Sequence, residues 1–119
     1  MANASLHANG KQEIMAKLQA ENWFVSIGTG NAAVNTVDTT MGNEVKRAQA
    51  VVSIQNNQLV LIGSWDVGLV TGTWTEIALW CGSLATSTLG TGQMYTRLVT
   101  NLTISDKQKL YLVFNLDWQ

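Results

Sequence analysis

The sequence has no proline, one cysteine and one histidine, and this scarcity excludes several kinds of site. Zinc sites in proteins need several Cys, His or acidic ligands in one cluster, and His7 and Cys81 are too far apart in sequence to begin one. Cys81 also has no partner for an internal disulfide, so we expect a buried, unreactive thiol. A nucleophilic pair of Cys81 with His7 is rejected because we place His7 in a mobile N-terminal segment. We therefore expect neither a metal nor a cofactor.

Charged residues are also few. Seven Lys and Arg stand against eight Asp and Glu, which gives a formal net charge of −1. Proteins that bind nucleic acid, or a membrane through a polybasic patch, carry clustered basic residues, and this sequence has no such cluster. The apolar runs are far shorter than the roughly 20 residues of a transmembrane helix, and no run of signal-peptide length occurs near the N-terminus. We expect a soluble protein that binds neither nucleic acid nor a membrane.

Turn residues are plentiful by contrast, because ten Gly occur together with many Asn, Asp and Ser. The segments between these turns alternate apolar and polar residues, which is typical of β-strands. Residues 11–21 have helical spacing instead and predict an amphipathic helix with Asn9 as its N-cap. We predict a single domain over residues 1–119, a mainly β antiparallel sandwich of about seven strands and one short N-terminal helix, with a jelly roll as one form of it. A closed barrel is the alternative, and residues 1–8 are expected to form a mobile arm.

The predicted strands cover residues 22–27, 45–55, 58–65, 74–81, 94–99, 102–104 and 109–118, and loops cover 31–43 and 82–92. Asn56 and Asn57 form the turn of the clearest hairpin. The strand from Trp74 to Trp80 is expected at the centre of the fold because both of its faces are largely apolar. One face carries Trp74, Glu76, Ala78 and Trp80, and the other carries Ile77, Leu79 and Cys81.

Glu76 is the only acidic residue within a strongly apolar strand. A buried carboxylate is tolerable only beside a cation or hydrogen-bond donors, so we predict a structural ion pair of Glu76 with Arg97 or Arg47. Acid/base catalysis of the kind that glycosidases use needs two carboxyl groups in one cleft, and only one is evident here. We therefore expect no enzyme activity.

Tryptophan is unusually frequent, with five residues in 119. Aromatic side chains pack in cores, anchor protein interfaces or stack on sugars. We assign to the core Trp23, Trp74 and Trp80. The candidate interface residues are Trp65, Trp118, Asp38, Thr39 and Asn43. A lectin-like module that binds host glycans through Trp65 and the loop around Gly90 is the alternative to a protein interface.

The order of several short segments is a further pattern. These segments are 9–12 (NGKQ), 27–30 (IGTG), 38–47 (DTTMGNEVKR), 74–80 (WTEIALW), Arg97 and Lys107. Over nearly the whole chain this order resembles that of small virion proteins of tailed bacteriophages, and it is similar to the N-terminal module of phage tail-collar fibre proteins. The sequence departs from that module with Ala78 where glycine is usual and with Trp80 where phenylalanine is usual.

The resemblance implies a structural protein of the phage virion that is assembled in the host cytoplasm. A fibre module continues into a shaft, whereas the last predicted strand here is followed directly by Gln119. We therefore favour a capsid decoration or cement protein that binds coat subunits, with a tail-fibre or baseplate adaptor as the alternative. Decoration proteins commonly form trimers or dimers, so the resemblance also implies a homo-oligomer.

Overall fold

The protein is described here by a computed structural model that covers residues 7–35, 37–56 and 58–116. These residues form one helix and seven strands, namely α1 (Ala8–Gln19), β1 (Trp23–Gly28), β2 (Glu44–Gln49), β3 (Val51–Gln55), β4 (Gln58–Trp65), β5 (Gly72–Cys81), β6 (Gln93–Ile104) and β7 (Leu110–Leu116). A four-stranded sheet has the order β2-β1-β5-β6 and a three-stranded sheet has the order β3-β4-β7. All neighbouring strands are antiparallel. The predicted mainly β sandwich is confirmed, and the sheets do not close into a barrel.

The core lies between the two sheets, where every second side chain of each strand points inward. Its fully buried members include Val25 and Ile27 of β1 and Leu59 and Leu61 of β4. The sheets approach closely at Gly63 of β4, where an added Cβ would lie 2.5 Å from the Cβ of Val25. Glycine at this position therefore lets the two sheets pack against each other.

Strand boundaries differ from the prediction where the chain passes between the sheets. The predicted strand over 45–55 is divided at Ala50, because β2 lies in one sheet and β3 in the other. Ala50 donates its N–H to the carbonyl oxygen of Trp23 at 2.8 Å. The predicted hairpin of β3 and β4 is present, with Gln55 opposite Gln58 and Asn56 at φ +50°. Asn57 lies outside the described residues.

The helix begins earlier than predicted. Its N-cap is His7, whose side chain forms no capping hydrogen bond, so the prediction of Asn9 as N-cap is wrong. A cap residue needs extended backbone, and Asn9 is already helical. Only His7 and Ala8 of the expected N-terminal arm are described, and Ala8 belongs to α1. No helix among the described residues has the length and apolar character needed to span a bilayer.

The second face of the four-stranded sheet, here called the outer face, is covered by two loops. These are the 29–43 loop, between β1 and β2, and the 82–92 loop, between β5 and β6. A second apolar cluster lies beneath them. It consists of Phe24, Ala78 and Trp80 from the sheet and Met41 and Ala85 from the loops.

The prediction that Trp74 shares a face of the strand with Glu76, Ala78 and Trp80 is wrong. The pairing of β5 with β6 shifts between Trp74 and Glu76, which interrupts the alternation of side chains. Trp74 therefore packs in the core between the sheets, and Glu76 points to the outer face.

Candidate functional site

Glu76 connects the 29–43 loop to the outer face. Its side chain is fully buried, and its carboxylate accepts four hydrogen bonds. Oε2 accepts the N–H groups of Gly30 at 2.8 Å and Asn43 at 2.6 Å, and Oε1 accepts the N–H of Gly42 at 2.9 Å. The fourth donor is Nε of Arg97, at 2.9 Å from Oε1. One carboxylate thus binds both ends of the 29–43 loop.

Two glycines make this arrangement possible. A Cβ at Gly30 would lie 2.5 Å from Oε2 of Glu76 and 2.7 Å from the Cα of Gly42. The two ends of the loop therefore approach each other directly above the carboxylate, in a space that no larger residue can share.

The hydrogen bonds also determine the charge of Glu76. Burial alone raises the pKa of this carboxyl group, but the hydrogen bonds from Asn43, Arg97, Gly42 and Gly30 outweigh burial, and the pKa lies below the ordinary value of 4.5. The group is an anion at neutral pH whose two oxygens are both occupied. This environment suits a structural role and gives no raised pKa of the kind that a general acid needs.

The structure places Arg97 at Glu76. Arg97 is 6% exposed and lies on β6, next to β5, opposite Ala78. Besides its bond to Glu76, it donates from Nη2 to the carbonyl oxygen of Ala32 at 3.0 Å. Its Nη1 lies 3.6 Å from Oδ2 of Asp38. Arg97 therefore also contacts the middle of the 29–43 loop.

Arg47, the second predicted partner of Glu76, binds Glu44 instead, and that prediction is wrong. Nε and Nη2 of Arg47 donate to the two carboxylate oxygens of Glu44 at 2.8 and 3.1 Å. Arg47 lies on β2, two strands from β5, and its guanidinium is directed toward Glu44 and the 82–92 loop, away from Glu76. Nη1 donates to the carbonyl oxygens of Thr86 and Thr91, each at 2.9 Å.

Glu44 and Arg47 thus hold the 82–92 loop as Glu76 and Arg97 hold the 29–43 loop. Glu44 accepts the N–H of Gly90 at 2.7 Å and a hydrogen bond from Oγ of Ser26. The guanidinium of Arg47 lies over the ring of Trp80, 4.7 Å from its centroid. Our prediction from the sequence did not include Glu44.

The predicted interface residues are only partly brought together. Trp65 is 7% exposed and packs in the core between the sheets, so its prediction as an interface residue is wrong. Its inward position follows from its spacing of four residues from Leu61, which faces the core on the same strand. The glycan-binding alternative loses the aromatic side chain on which it depended. Trp118 lies outside the described residues.

The three polar candidates all belong to the 29–43 loop. Thr39 is exposed, and Asp38 is partly exposed beside Arg97. Asn43 donates from Nδ2 to Oγ1 of Thr29 at 2.7 Å and is bound to Glu76 through its backbone. The remaining tryptophans of the described chain are buried, as predicted for Trp23, Trp74 and Trp80.

Four exposed aliphatic side chains project from the two loops. We call this set the loop surface; it consists of Val34 (51% exposed), Val37 (77%), Leu84 (79%) and Leu89 (45%). Met41 of the 29–43 loop and Ala85 of the 82–92 loop belong to the same buried cluster. Exposed apolar side chains that form a contiguous patch mark protein-binding surfaces. Among the described residues, no group of three or more His, Cys, Asp or Glu lies close enough to hold a metal ion.

Comparison of the chain with protein-family models gives no match, and comparison with curated protein sequences gives none either.

Proposed function

We propose that this protein is a non-enzymatic structural protein that binds neighbouring protein subunits through the loop surface. The observation that carries the proposal is the fixation of both loops by buried ion pairs, while each loop exposes aliphatic side chains. In accordance with the resemblance to phage virion proteins, we place the protein in the particle of a tailed phage, as a capsid decoration or cement protein. A tail-fibre or baseplate adaptor is the second candidate.

The fixed loops favour binding because their order is established before a partner arrives. A flexible loop loses conformational freedom when it binds, at a cost of about 0.5–1.5 kcal/mol for each immobilised side chain. The buried carboxylates of Glu76 and Glu44 already hold the loop backbones through N–H donors. More of the contact energy of Val37 or Leu84 is then available for affinity.

The chemistry of the loop surface favours a protein partner. The 82–92 loop has no charged residue, and the 29–43 loop has only Asp38. The carboxylate of Asp38 is engaged by the N–H of Asn35 at 3.0 Å and lies beside Arg97. The two loops therefore combine the aliphatic side chains of the loop surface with uncharged Asn, Ser and Thr residues. This composition suits a hydrogen-bonded protein interface and not the binding of a polyanion.

The resemblance to phage virion proteins is supported by the positions of its segments in the structure. Segments 27–30, 38–47 and 74–80 contribute Gly30, Gly42, Asn43 and Glu76, and Arg97 completes the same cluster. The residues that define the pattern thus meet at one carboxylate. Since tail-collar fibre modules show a similar pattern, this observation also keeps the adaptor as second candidate.

Purified phage particles test the proposal. We expect mass spectrometry to find this chain in many copies per particle, as decoration of a repeating coat lattice requires. A few copies per particle would favour the adaptor, and absence from the particle would refute both assignments.

Binding by the loop surface is tested on particles prepared without this protein. Val37→Asp and Leu84→Asp each place a charge on a strongly exposed position and should weaken co-sedimentation with the particles at least about tenfold. The matched control is Val67→Asp, in the connection between β4 and β5, where the side chain is 51% exposed. Loss of binding by the control alone, or unchanged binding by both loop variants, would contradict the assignment of the surface.

A further inference from the structure

The four edge strands of the sandwich differ in how they are protected. An edge strand presents unpaired N–H and C=O groups, and proteins usually protect such edges with charged residues, bulges or short strands. β2 carries Glu44, Lys46 and Arg47, and β3 has only five residues. The pairing of β6 with β5 is irregular at two places, which bends that edge.

β7 has none of these protections. Its seven residues, Leu110–Leu116, include no charged residue and no proline. Its register with β4 is regular from Leu110 opposite Trp65 to Leu116 opposite Leu59. Among the described residues, no strand pairs with its second edge. Tyr111 and Val113 on its solvent-facing side are 58% and 57% exposed.

We propose that β7 pairs with β7 of a second copy of this chain, antiparallel about a two-fold axis at Val113. The two three-stranded sheets then form one continuous six-stranded sheet. In this register Leu110 faces Leu116 of the other copy, Leu112 faces Phe114, and Val113 faces itself. Even-numbered residues of one copy face even-numbered residues of the other. The core-facing side chains of the two copies therefore lie on the same face of the combined sheet.

The pairing also covers apolar surface that one chain leaves open. Leu112 and Leu116 pack against the core but are only partly buried, since they lie on the last strand of the sheet. Across the axis, Phe114 and Leu110 of the second copy would lie against them. Cross-strand apolar pairs of this kind are the main stabilising units of a sheet.

Charge at the strand ends supports a second copy of the chain in antiparallel orientation. In the sequence, Lys109 precedes β7 and Asp117 follows it. In an antiparallel pair the basic end of one strand meets the acidic end of the other, whereas a parallel pair brings like charges to the same end. The edge of β7 is therefore self-complementary. Because β7 and the loop surface belong to different sheets, this proposal and the proposed function can fail independently.

Sedimentation equilibrium of the full chain tests the dimer. We expect a species of twice the chain mass of 12.9 kDa. Val113→Lys places two like charges directly opposite each other at the axis and should raise the dissociation constant at least about tenfold. The matched control is Val51→Lys on β3, because Val51 is 70% exposed and lies in the same cross-strand row, two strands away. The control should remain dimeric.

A cross-link tests the register. Val113→Cys brings two thiols together at the axis, within the Cα separation of about 4.4–6.8 Å that a disulfide requires, and should give a covalent dimer under mild oxidation. Val51→Cys should not, and the native Cys81 is fully buried. A wild-type chain that is monomeric at about 100 µM, or that forms a trimer, would overturn the proposal. Failure of the Val113→Cys chain to cross-link would also overturn the proposal. If Val113→Lys does not fold, the cross-linking result alone tests the dimer.

Discussion

Replacement of Glu76 by leucine is the perturbation that tests the structure most directly. Leucine fills a similar volume but cannot accept hydrogen bonds. The change leaves Arg97 without its main partner and leaves the N–H groups of Gly30, Gly42 and Asn43 without an acceptor. We expect a folded but destabilised protein in which the 29–43 loop separates from the sheet.

The magnitude follows from the contacts of the two charged groups. Removal of one partner from a buried ion pair costs about 3–5 kcal/mol, because the other charge stays buried and unpaired. Separation of the 29–43 loop removes the contacts of Arg97 with Ala32 and Asp38 but exposes its guanidinium to water, which reduces this cost. The freed loop N–H groups can also bind water once the loop separates. We therefore expect Glu76→Leu to lower the free energy of unfolding by about 2–4 kcal/mol, or the melting temperature by roughly 10–15 °C.

Urea denaturation and thermal melting at pH 7 measure this effect. The control is Glu13→Leu, because Glu13 forms only an exposed ion pair with Lys17 at 3.7 Å and its loss should cost less than about 0.5 kcal/mol. In the double variant Glu76→Leu/Arg97→Met, the loss should be smaller than the sum of the single losses by about 1–3 kcal/mol. A melting temperature that Glu76→Leu leaves unchanged would refute the assignment of Glu76 as the residue that holds the loop.

Three further results are expected. The folded pKa of Glu76 lies below its unfolded value of about 4.5, so its contribution to stability is complete well above pH 4.5 and is lost as the pH falls through the folded pKa. Urea midpoints should therefore fall more steeply below pH 5 in the wild type than in Glu76→Leu. Arg47→Lys cannot reproduce the paired hydrogen bonds to Glu44, and we expect a loss of about 1–3 kcal/mol with faster amide exchange in the 82–92 loop. Gly63→Ala, whose Cβ would meet Val25, should cost about 1–3 kcal/mol by urea denaturation, and Val25→Ala in the same chain should recover part of that loss.

The ion pair of Glu76 illustrates what the sequence alone can predict. A carboxylate within an apolar strand must have a cation or several donors near it, and this requirement is local. The choice between Arg97 and Arg47 is not local, because it depends on which strand lies beside β5. Strand order arises from contacts between distant segments, and the alternation of residues along one strand carries no information on it.

The pair of Glu44 and Arg47 shows why a second cluster was missed. Side chains three residues apart on a regular strand point to opposite faces, so the spacing predicts no contact. The pairing of β1 with β2 shifts between Ile27 and Gly28, which inserts an extra residue between Glu44 and Lys46 and turns Glu44 to the side of Arg47. Bulges of this kind have no reliable sequence signal.

Trp65 is a different case, because its signal was present. Leu59, Leu61 and Trp65 share the same parity on one strand, and the first two face the core. Consistent use of this alternation places Trp65 inside as well. The position of Trp65 before a turn favoured an exposed residue only on the assumption that strand ends are open. Here Val70, in the connection after β4, is itself 1% exposed and belongs to the same core cluster as Trp65.

The way the 29–43 loop is bound does not depend on its exposed side chains. Three of the four hydrogen bonds to Glu76 come from backbone N–H groups, which almost any residue type supplies. The glycines are restricted, since a Cβ at Gly30 would meet the carboxylate and the opposite end of the loop, and a Cβ at Gly28, at the end of β1, would meet the carbonyl oxygen of Asn43. Substitutions at Val34 or Val37 should therefore leave the loop held as it is, and under the proposed function they should change only its affinity for a partner. A loop fixed by a carboxylate of the sheet thus separates the residues that provide stability from the residues to which the proposed function assigns recognition.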